Sequence, residues 1–198
     1  MANKQIKDFP AKLAPEGTDK ILIQDALGAT QHVEASAFHR AKAGFFDYND
    51  LATATTPIAH NGSEGFKDLT NDGAGAQTNI AHVPTGVTGL WNTTLNQMDF
   101  TDLGIGDMID IRVDVTLITT QPNQLTEIQL LAGIGGFSYT VPLVSASYKS
   151  AQTRQETSYR GIYIGDSNTL DNAAKIQIDS DSPLTVIVNG WYFKITRR

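Results

Sequence analysis

A chain of 198 residues with 40% hydrophobic residues is long enough to bury one good-sized core plus an appendage, and the absence of cysteine excludes disulfides and thiolate metal sites. Residues 1–100 carry 11 acids and 7 bases and residues 101–198 carry 10 acids and 8 bases, so neither half offers the clustered cations that nucleic acid binding requires. Because no apolar run approaches the roughly 20 residues of a membrane span and the first residues lack a signal-peptide core, we expect a soluble product without membrane insertion, made in the cytoplasm.

The N-terminal part of the chain predicts a small β-hairpin after an extended leader. The leader spans residues 1–13 and is followed by residues 15–25, which contain the first strand, and by residues 28–35, which contain the second; the turn signals are Pro15, Gly17 and Gly28. Ile21 and Ile23 lie on one face of the first strand because side chains alternate along a strand. A hairpin this small is marginal in water, so we expect it to be stable only when it packs on another surface.

The residues of this hairpin resemble a known attachment segment. Residues 6–11 (Ile-Lys-Asp-Phe-Pro-Ala) and 17–25 (Gly-Thr-Asp-Lys-Ile-Leu-Ile-Gln-Asp) are similar to the leader of many tailed-bacteriophage fibre and virion-decorating proteins. The resemblance covers about the first fifth of the chain and implies that this segment docks the rest of the protein onto the virion. The chain lacks a Gly-rich shaft, which favours a short spike, a head fibre or a decoration protein. The docking side chains that the resemblance implies are Phe9, Leu13, Ile21, Ile23 and Val33.

The rest of the chain predicts an all-β fold. Residues 34–44, rich in Ala and ending at Gly44, predict a short connecting helix. From Phe45 onward, many short strands with regularly spaced turns favour a jelly-roll-like β-sandwich. We therefore predict an attachment domain at 1–44 and a head domain at 45–198. The predicted strands of the head are Met108–Ile118, Leu125–Ala132, Phe137–Ser145, Ser158–Ile164, Ala173–Ile178 and Leu184–Ile195.

The last predicted strand carries apolar residues at both parities. Strict alternation places Val186, Val188 and Tyr192 on one face. The other face then carries Ile187, Trp191, Phe193 and Ile195. A strand that is apolar on both faces is expected to be covered by the second sheet on one side and by a neighbouring subunit on the other, so we predict a homotrimer. Compact β-domains that end in such a strand resemble the trimeric jelly-roll heads of viral fibres.

Side chains that bind metals or cofactors show no specific pattern. The histidines, His32, His39, His60 and His82, include no His-x-His pair, so we interpret them as solvated or capping residues. Asp179 and Asp181 resemble one arm of a calcium loop but lack its Gly and distal Glu, which favours side-chain bonds to nearby backbone amides instead. We predict no catalytic residue, no metal and no cofactor.

Two aromatic residues are candidates for ligand contact. Trp91 and Tyr148 lie among amide and hydroxyl residues, a mixture that suits sugar recognition, and Tyr148 lies in a polar segment where we expect it to be exposed. The competing interpretation places these aromatics in the core or in a subunit interface, and it is the one that we favour.

Two functions follow from these patterns. The preferred hypothesis is a non-enzymatic phage protein located in the virion, with other virion proteins and a host-surface glycan as partners. The alternative is a carbohydrate-active enzyme, a depolymerase on a β-scaffold. Asp110 and Asp114 are its candidate carboxylates, because they lie on one strand face.

Overall fold

The computed structural model of the protein describes residues 20–24, 30–34, 42–49, 57–70 and 75–198. The chain divides into two units, Met1–Ala41 and Lys42–Arg198. In the first unit, β1 (Lys20–Gln24) pairs antiparallel with β2 (Thr30–Glu34), so the predicted hairpin is present.

The helix predicted at 34–44 is wrong at both ends. Glu34 belongs to β2, while Ala43 and Gly44 begin the next strand. Residues 35–41, which make up the middle of that prediction, lie outside the described residues.

The second unit is built almost entirely of strands. Its helical segments in the described ranges are a 3₁₀ turn at Ile80–His82 and a short helix, α1 (Ser167–Asp171), neither of which is long and apolar enough to cross a membrane. All six predicted head strands are present, with ends that differ by a few residues. The strands are β3 (Ala43–Asn49), β4 (Ile58–His60), β5 (Lys67–Asp68), β6 (Ala76–Thr78), β7 (Trp91–Asn92), β8 (Gln97–Met98), β9 (Met108–Thr119), β10 (Gln124–Ile134), β11 (Tyr139–Tyr148), β12 (Thr153–Tyr163), β13 (Ala173–Ser180) and β14 (Leu184–Thr196).

These strands form two antiparallel sheets. Sheet 1 has the order β11-β10-β13-β8-β7, with β5 also on β13, and sheet 2 has the order β12-β9-β14-β3-β6, with β4 also on β14. The chain passes from β9 in sheet 2 to β10 and β11 in sheet 1, returns to sheet 2 at β12, crosses to β13 and ends in sheet 2 at β14. Four-stranded cores ordered β3-β14-β9-β12 and β8-β13-β10-β11 are the strand order of a jelly roll, which confirms the predicted fold class.

Alternation along β9 places one of its two faces in the core. Ile109, Ile111, Val113, Val115 and Leu117 are all at most 1% exposed, as the pattern predicts. Their partners across the sandwich include alternate apolar residues of β10 and β13, which are buried to the same degree. Burying each of these side chains contributes about 1.5–3 kcal/mol, so the facing strands stabilise each other.

The prediction that β14 is apolar on both faces is wrong, because the strand contains a β-bulge. Val188 lies opposite Val115, and the register then shifts so that Trp191 lies opposite Val113. The extra residue, Asn189, reverses the parity of the strand. As a result the apolar residues on both sides of the bulge point into one core and are at most 1% exposed: Val186, Val188, Trp191, Phe193 and Ile195.

Because β14 has only one apolar face, it gives no structural reason for a trimer. The outer side of β14 carries Ile187 and Tyr192, which are both half-buried, together with polar residues. A second fully apolar face that would demand a neighbouring subunit is therefore not found on this strand, and the trimer stays a prediction.

Candidate functional site

The outer face of sheet 2 carries polar and aromatic side chains in registered rows. One row crosses the sheet from Tyr159 on β12 to Arg112 on β9, Tyr192 on β14, Asp47 on β3 and Thr78 on β6. Neighbouring strands are about 4.8 Å apart, so the row extends over roughly 19 Å. We call this surface the polar face.

The β-bulge opens a depression in the polar face. It places Gly190, which has no side chain, in the row between Asp114 on β9 and Asn49 on β3. An open cavity of about 270 Å³ lies at this point, and we call it the bulge depression. Its polar lining consists of Asp47, Asn49, Thr78, Arg112, Asp114 and Asn189.

Other side chains hold the carboxylate of Asp114 in place. Arg112 donates from Nε to Asp114 Oδ2 at 2.9 Å, and the Thr157 hydroxyl donates to Asp114 Oδ1 at 2.9 Å. Each carboxylate oxygen has a second lone pair, so this group can still accept a hydrogen bond from a ligand. Its orientation is fixed before any ligand arrives.

The other side of the depression is held in the same way. Asn189 donates from Nδ2 to the Thr116 hydroxyl at 3.0 Å, and Asn79 donates from Nδ2 to Asp47 Oδ2 at 2.5 Å. Asn79 adopts a left-handed backbone conformation with φ of 55°, which asparagine tolerates better than most residues. The polar groups of the depression are therefore supported by a second layer of side chains.

An aromatic strip runs beside the depression. The Arg112 guanidinium lies 5.2 Å from the centre of the Tyr192 ring, and that ring stacks on Phe45 at 5.9 Å. Phe45 in turn stacks on His82 at 5.2 Å, and Phe45 remains 37% exposed. These four side chains offer flat surfaces to solvent beside a set of hydrogen-bonding groups.

Tyr159 adds a third exposed ring to the polar face. Its side chain is 48% exposed. Desolvation, followed by the negative charge of Asp110, raises the pKa of the Tyr159 hydroxyl. The hydroxyl is hydrogen-bonded to the Asp110 carboxylate, so Tyr159 offers its exposed ring to the polar face.

The two aromatic residues predicted to contact a ligand are buried. Trp91 is 2% exposed, and its ring packs 5.6 Å from both Tyr48 and Trp191. Tyr148 is 1% exposed, and its hydroxyl donates to Glu156 at 3.0 Å, so the expectation that it is exposed is wrong. Burial and this hydrogen bond raise the pKa of Tyr148. Both residues fit the competing interpretation, in which they belong to the core.

The two carboxylates of the enzyme alternative lie on one face of β9. Asp110 and Asp114 are four residues apart on this strand, which separates their backbones by roughly 13 Å. Asp110 is 3.8 Å from Lys194, while Asp114 binds Arg112. The two acids therefore have separate partners.

The prediction that Asp179 and Asp181 bond nearby backbone amides fits Asp179, whose Oδ1 accepts from the Ser180 amide at 2.8 Å. Asp181 Oδ1 instead accepts from the Leu125 amide of β10 at 3.1 Å, which is a contact between strands and not a turn. Among the described residues, no group of three side chains of the metal-ligating types lies together.

Of the two roles predicted for the histidines, solvated or capping, His60 has the second. This residue is 2% exposed, accepts at Nδ1 from the Gly62 amide and lies 2.9 Å through Nε2 from the Gly65 carbonyl, so it holds the loop that follows β4. His82 is exposed, and His39 lies outside the described residues.

The predicted docking residues fall in the N-terminal unit. Phe9 and Leu13 lie outside the described residues. Ile21 and Ile23 lie on β1, opposite Val33 and Gln31 of β2 respectively, and only their backbone pairing is described.

Sequence reasoning missed the bulge depression, although one signal was present. Asn189 and Gly190 interrupt the apolar run of the last strand, and an isolated glycine in a strand pattern indicates a bulge. The other residues of the depression include Asn49 on β3 and Thr78 on β6. Neither of these strands was predicted as a separate element.

Comparison with known proteins finds no matching family model and no matching curated protein. Among solved structures, the chain is similar to infectious bursal virus derived T=1 particles (TM-score 0.45, 8% identity, 96% of this chain and 40% of that chain). It is also similar to the infectious bursal disease virus VP2 subviral particle (TM-score 0.44, 8% identity, 96% and 41%). A third is the CBM22-1 xylan-binding domain from Paenibacillus barcinonensis Xyn10C (TM-score 0.40, 13% identity, 80% and 99%).

The chain spans about two fifths of the length of the two viral chains. At these scores the similarities add nothing to the fold assignment, which depends on the strand order of the two sheets.

Proposed function

We propose that this protein is a non-enzymatic structural protein of a bacteriophage virion, a short fibre, a spike or a capsid-decorating protein. In this proposal the N-terminal unit docks onto other virion proteins, and the jelly roll is displayed for attachment to a host-surface glycan. The observation that carries the proposal is the division of the chain into a small hairpin unit, whose residues resemble phage attachment leaders, and a jelly roll with its own core.

The geometry of the hairpin supports a docking role. It is a two-stranded sheet of five residues per strand. Such a sheet is marginally stable by itself, so contact with a virion protein would stabilise it. In this proposal the hairpin is most stable when it is bound to the particle.

The start of β3 and the end of β14 lie side by side. Thr196 pairs with Ala43, and the Arg197 amide donates to the Lys42 carbonyl. Asp107 also binds this end, since it lies 3.2 Å from Arg197 Nε and accepts from the Arg198 amide.

The docking role can be tested with paired substitutions in β1. Ile21→Asp together with Ile23→Asp changes the predicted docking face, while Leu22→Asp changes the opposite face and serves as the matched control. Particles are assembled with each variant, purified and analysed for the protein by quantitative mass spectrometry. We expect the double variant to be lost from particles and the control to be retained. Normal incorporation of the double variant, or of a chain without residues 1–41, would refute docking.

The homotrimer is proposed from the jelly-roll fold class, which trimeric viral fibre heads share, and not from the faces of β14. Light scattering coupled to size exclusion would give the solution mass, and three times the 21.4 kDa of one chain is the expected value. A mass of one chain would mean that any trimer is imposed by the attachment site on the particle.

A further inference from the structure

We propose that the bulge depression and the aromatic strip beside it form one binding site for an uncharged saccharide. The inference deepens the attachment part of the proposed function and rests on it. It assigns the site to residues of β3, β9 and β14, of which the sequence patterns singled out Asp114 alone, as a candidate carboxylate of the enzyme alternative.

The depression offers the hydrogen-bonding groups that a polyhydroxylated ligand needs. Asp47 and Asp114 are acceptors, Arg112 is a donor, and the amides of Asn49 and Asn189 are both. A hydrogen bond from a sugar hydroxyl to a charged carboxylate is stronger than a hydrogen bond between two neutral groups. Because other side chains already hold both carboxylates and Asn189, the ligand does not have to order them.

The strip supplies the apolar half of the site. Tyr192 is two residues along β14 from Gly190, so the two backbone positions are about 7 Å apart on the same face. That spacing lets one ligand place hydroxyls in the depression and rest a CH face on the strip, where Phe45 is 37% exposed. Contacts with the Arg112 guanidinium at 5.2 Å and the Phe45 ring at 5.9 Å hold the Tyr192 ring that links the depression to Phe45.

The charges around the depression select for an uncharged sugar. Two carboxylates, Asp47 and Asp114, face one guanidinium, that of Arg112, which leaves a net charge of about −1 at neutral pH. An acidic sugar would be repelled by this excess. A protein partner is also disfavoured, since the centre of a protein interface is depleted of charged residues and this depression is lined by them.

The experiment uses the full chain on a glycan microarray that carries both neutral and acidic bacterial surface oligosaccharides, followed by titration of the best neutral oligosaccharide. Asn49→Ala removes an exposed amide from the depression, and Tyr192→Ala removes the ring. Phe137→Ala is the matched control, because Phe137 is the most exposed aromatic residue described, at 79%, and lies in the turn between β10 and β11.

We expect binding to neutral glycans that weakens roughly tenfold in each of the two site variants and is unchanged in the control. A silent array, binding to acidic glycans alone, or neutral binding that both site variants retain would overturn the inference. A fall in solution mass in Tyr192→Ala would also overturn it, by showing that the polar face is a subunit interface. Particle incorporation of the site variants separates the two proposals, because it depends on docking and not on the glycan.

Discussion

Deleting Asn189 tests whether the β-bulge holds the core together. Without this residue β14 regains strict alternation, and either the part before the bulge or the part after it must turn its apolar side chains outward. In the second case Trp191, Phe193 and Ile195, all at most 1% exposed, leave the core. Removing a buried Trp or Phe costs about 3–5 kcal/mol and a buried Ile about 2–5 kcal/mol, so the loss is on the order of 8–15 kcal/mol.

That loss matches the whole stability of a typical domain, about 5–15 kcal/mol. We therefore expect the deletion variant to show no cooperative unfolding transition by circular dichroism or calorimetry. The control is deletion of Ala151, which shortens the exposed turn between β11 and β12 without changing the parity of any strand. A cooperative transition in the Asn189 deletion within a few degrees of the parent would refute the account of the bulge.

Three further substitutions have definite expected outcomes. Gly190→Ala would place a Cβ 2.5 Å from a backbone oxygen of β3, so chemical denaturation should show a loss of about 1–3 kcal/mol. Tyr148→Phe removes the hydroxyl that bonds Glu156 and should cost about 1 kcal/mol while leaving glycan binding unchanged; a loss of binding would reinstate Tyr148 as a contact residue. Asp166 caps α1, and the Thr169 amide lowers the pKa of its carboxyl, so its charge stabilises the fold above an unfolded pKa of about 3.9 and that contribution fades as pH falls through the lower folded value. The difference in melting temperature between the parent and Asp166→Asn should therefore be constant above pH 5 and shrink as pH falls below about 3.9, and a difference that stays constant there would contradict the assignment.

The long strands could be predicted because their side chains alternate against one buried face. β9 is the clearest case: its odd-numbered residues from Ile109 to Leu117 point inward, and its even-numbered residues from Asp110 to Thr116 point outward. The short strands β4 to β8 could not be predicted in this way. They contain two or three residues each, which is too few for a period of two to be distinguished from chance.

Composition also failed to separate buried from exposed aromatics. Trp91 lies on a two-residue strand among polar residues, yet its ring packs against Tyr48 and Trp191. Tyr148 ends β11 in a polar segment, yet it is buried and reaches Glu156. In both cases tertiary packing decides the exposure, and neighbours in sequence carry no information about it.

The bulge is where the fold and the candidate site depend on the same residues. One extra residue, Asn189, keeps Trp191 on the core side, and it also brings Gly190 to the outer row where a missing side chain leaves a depression. The strand that completes the core is thus the strand that shapes the polar face. A substitution that fills the depression at Gly190 must also push on the backbone of β3, so the site cannot be closed without a cost to the fold. For this reason the decisive variants for binding are those on the rim, such as Asn49→Ala, which change the chemistry of the depression and leave the bulge intact.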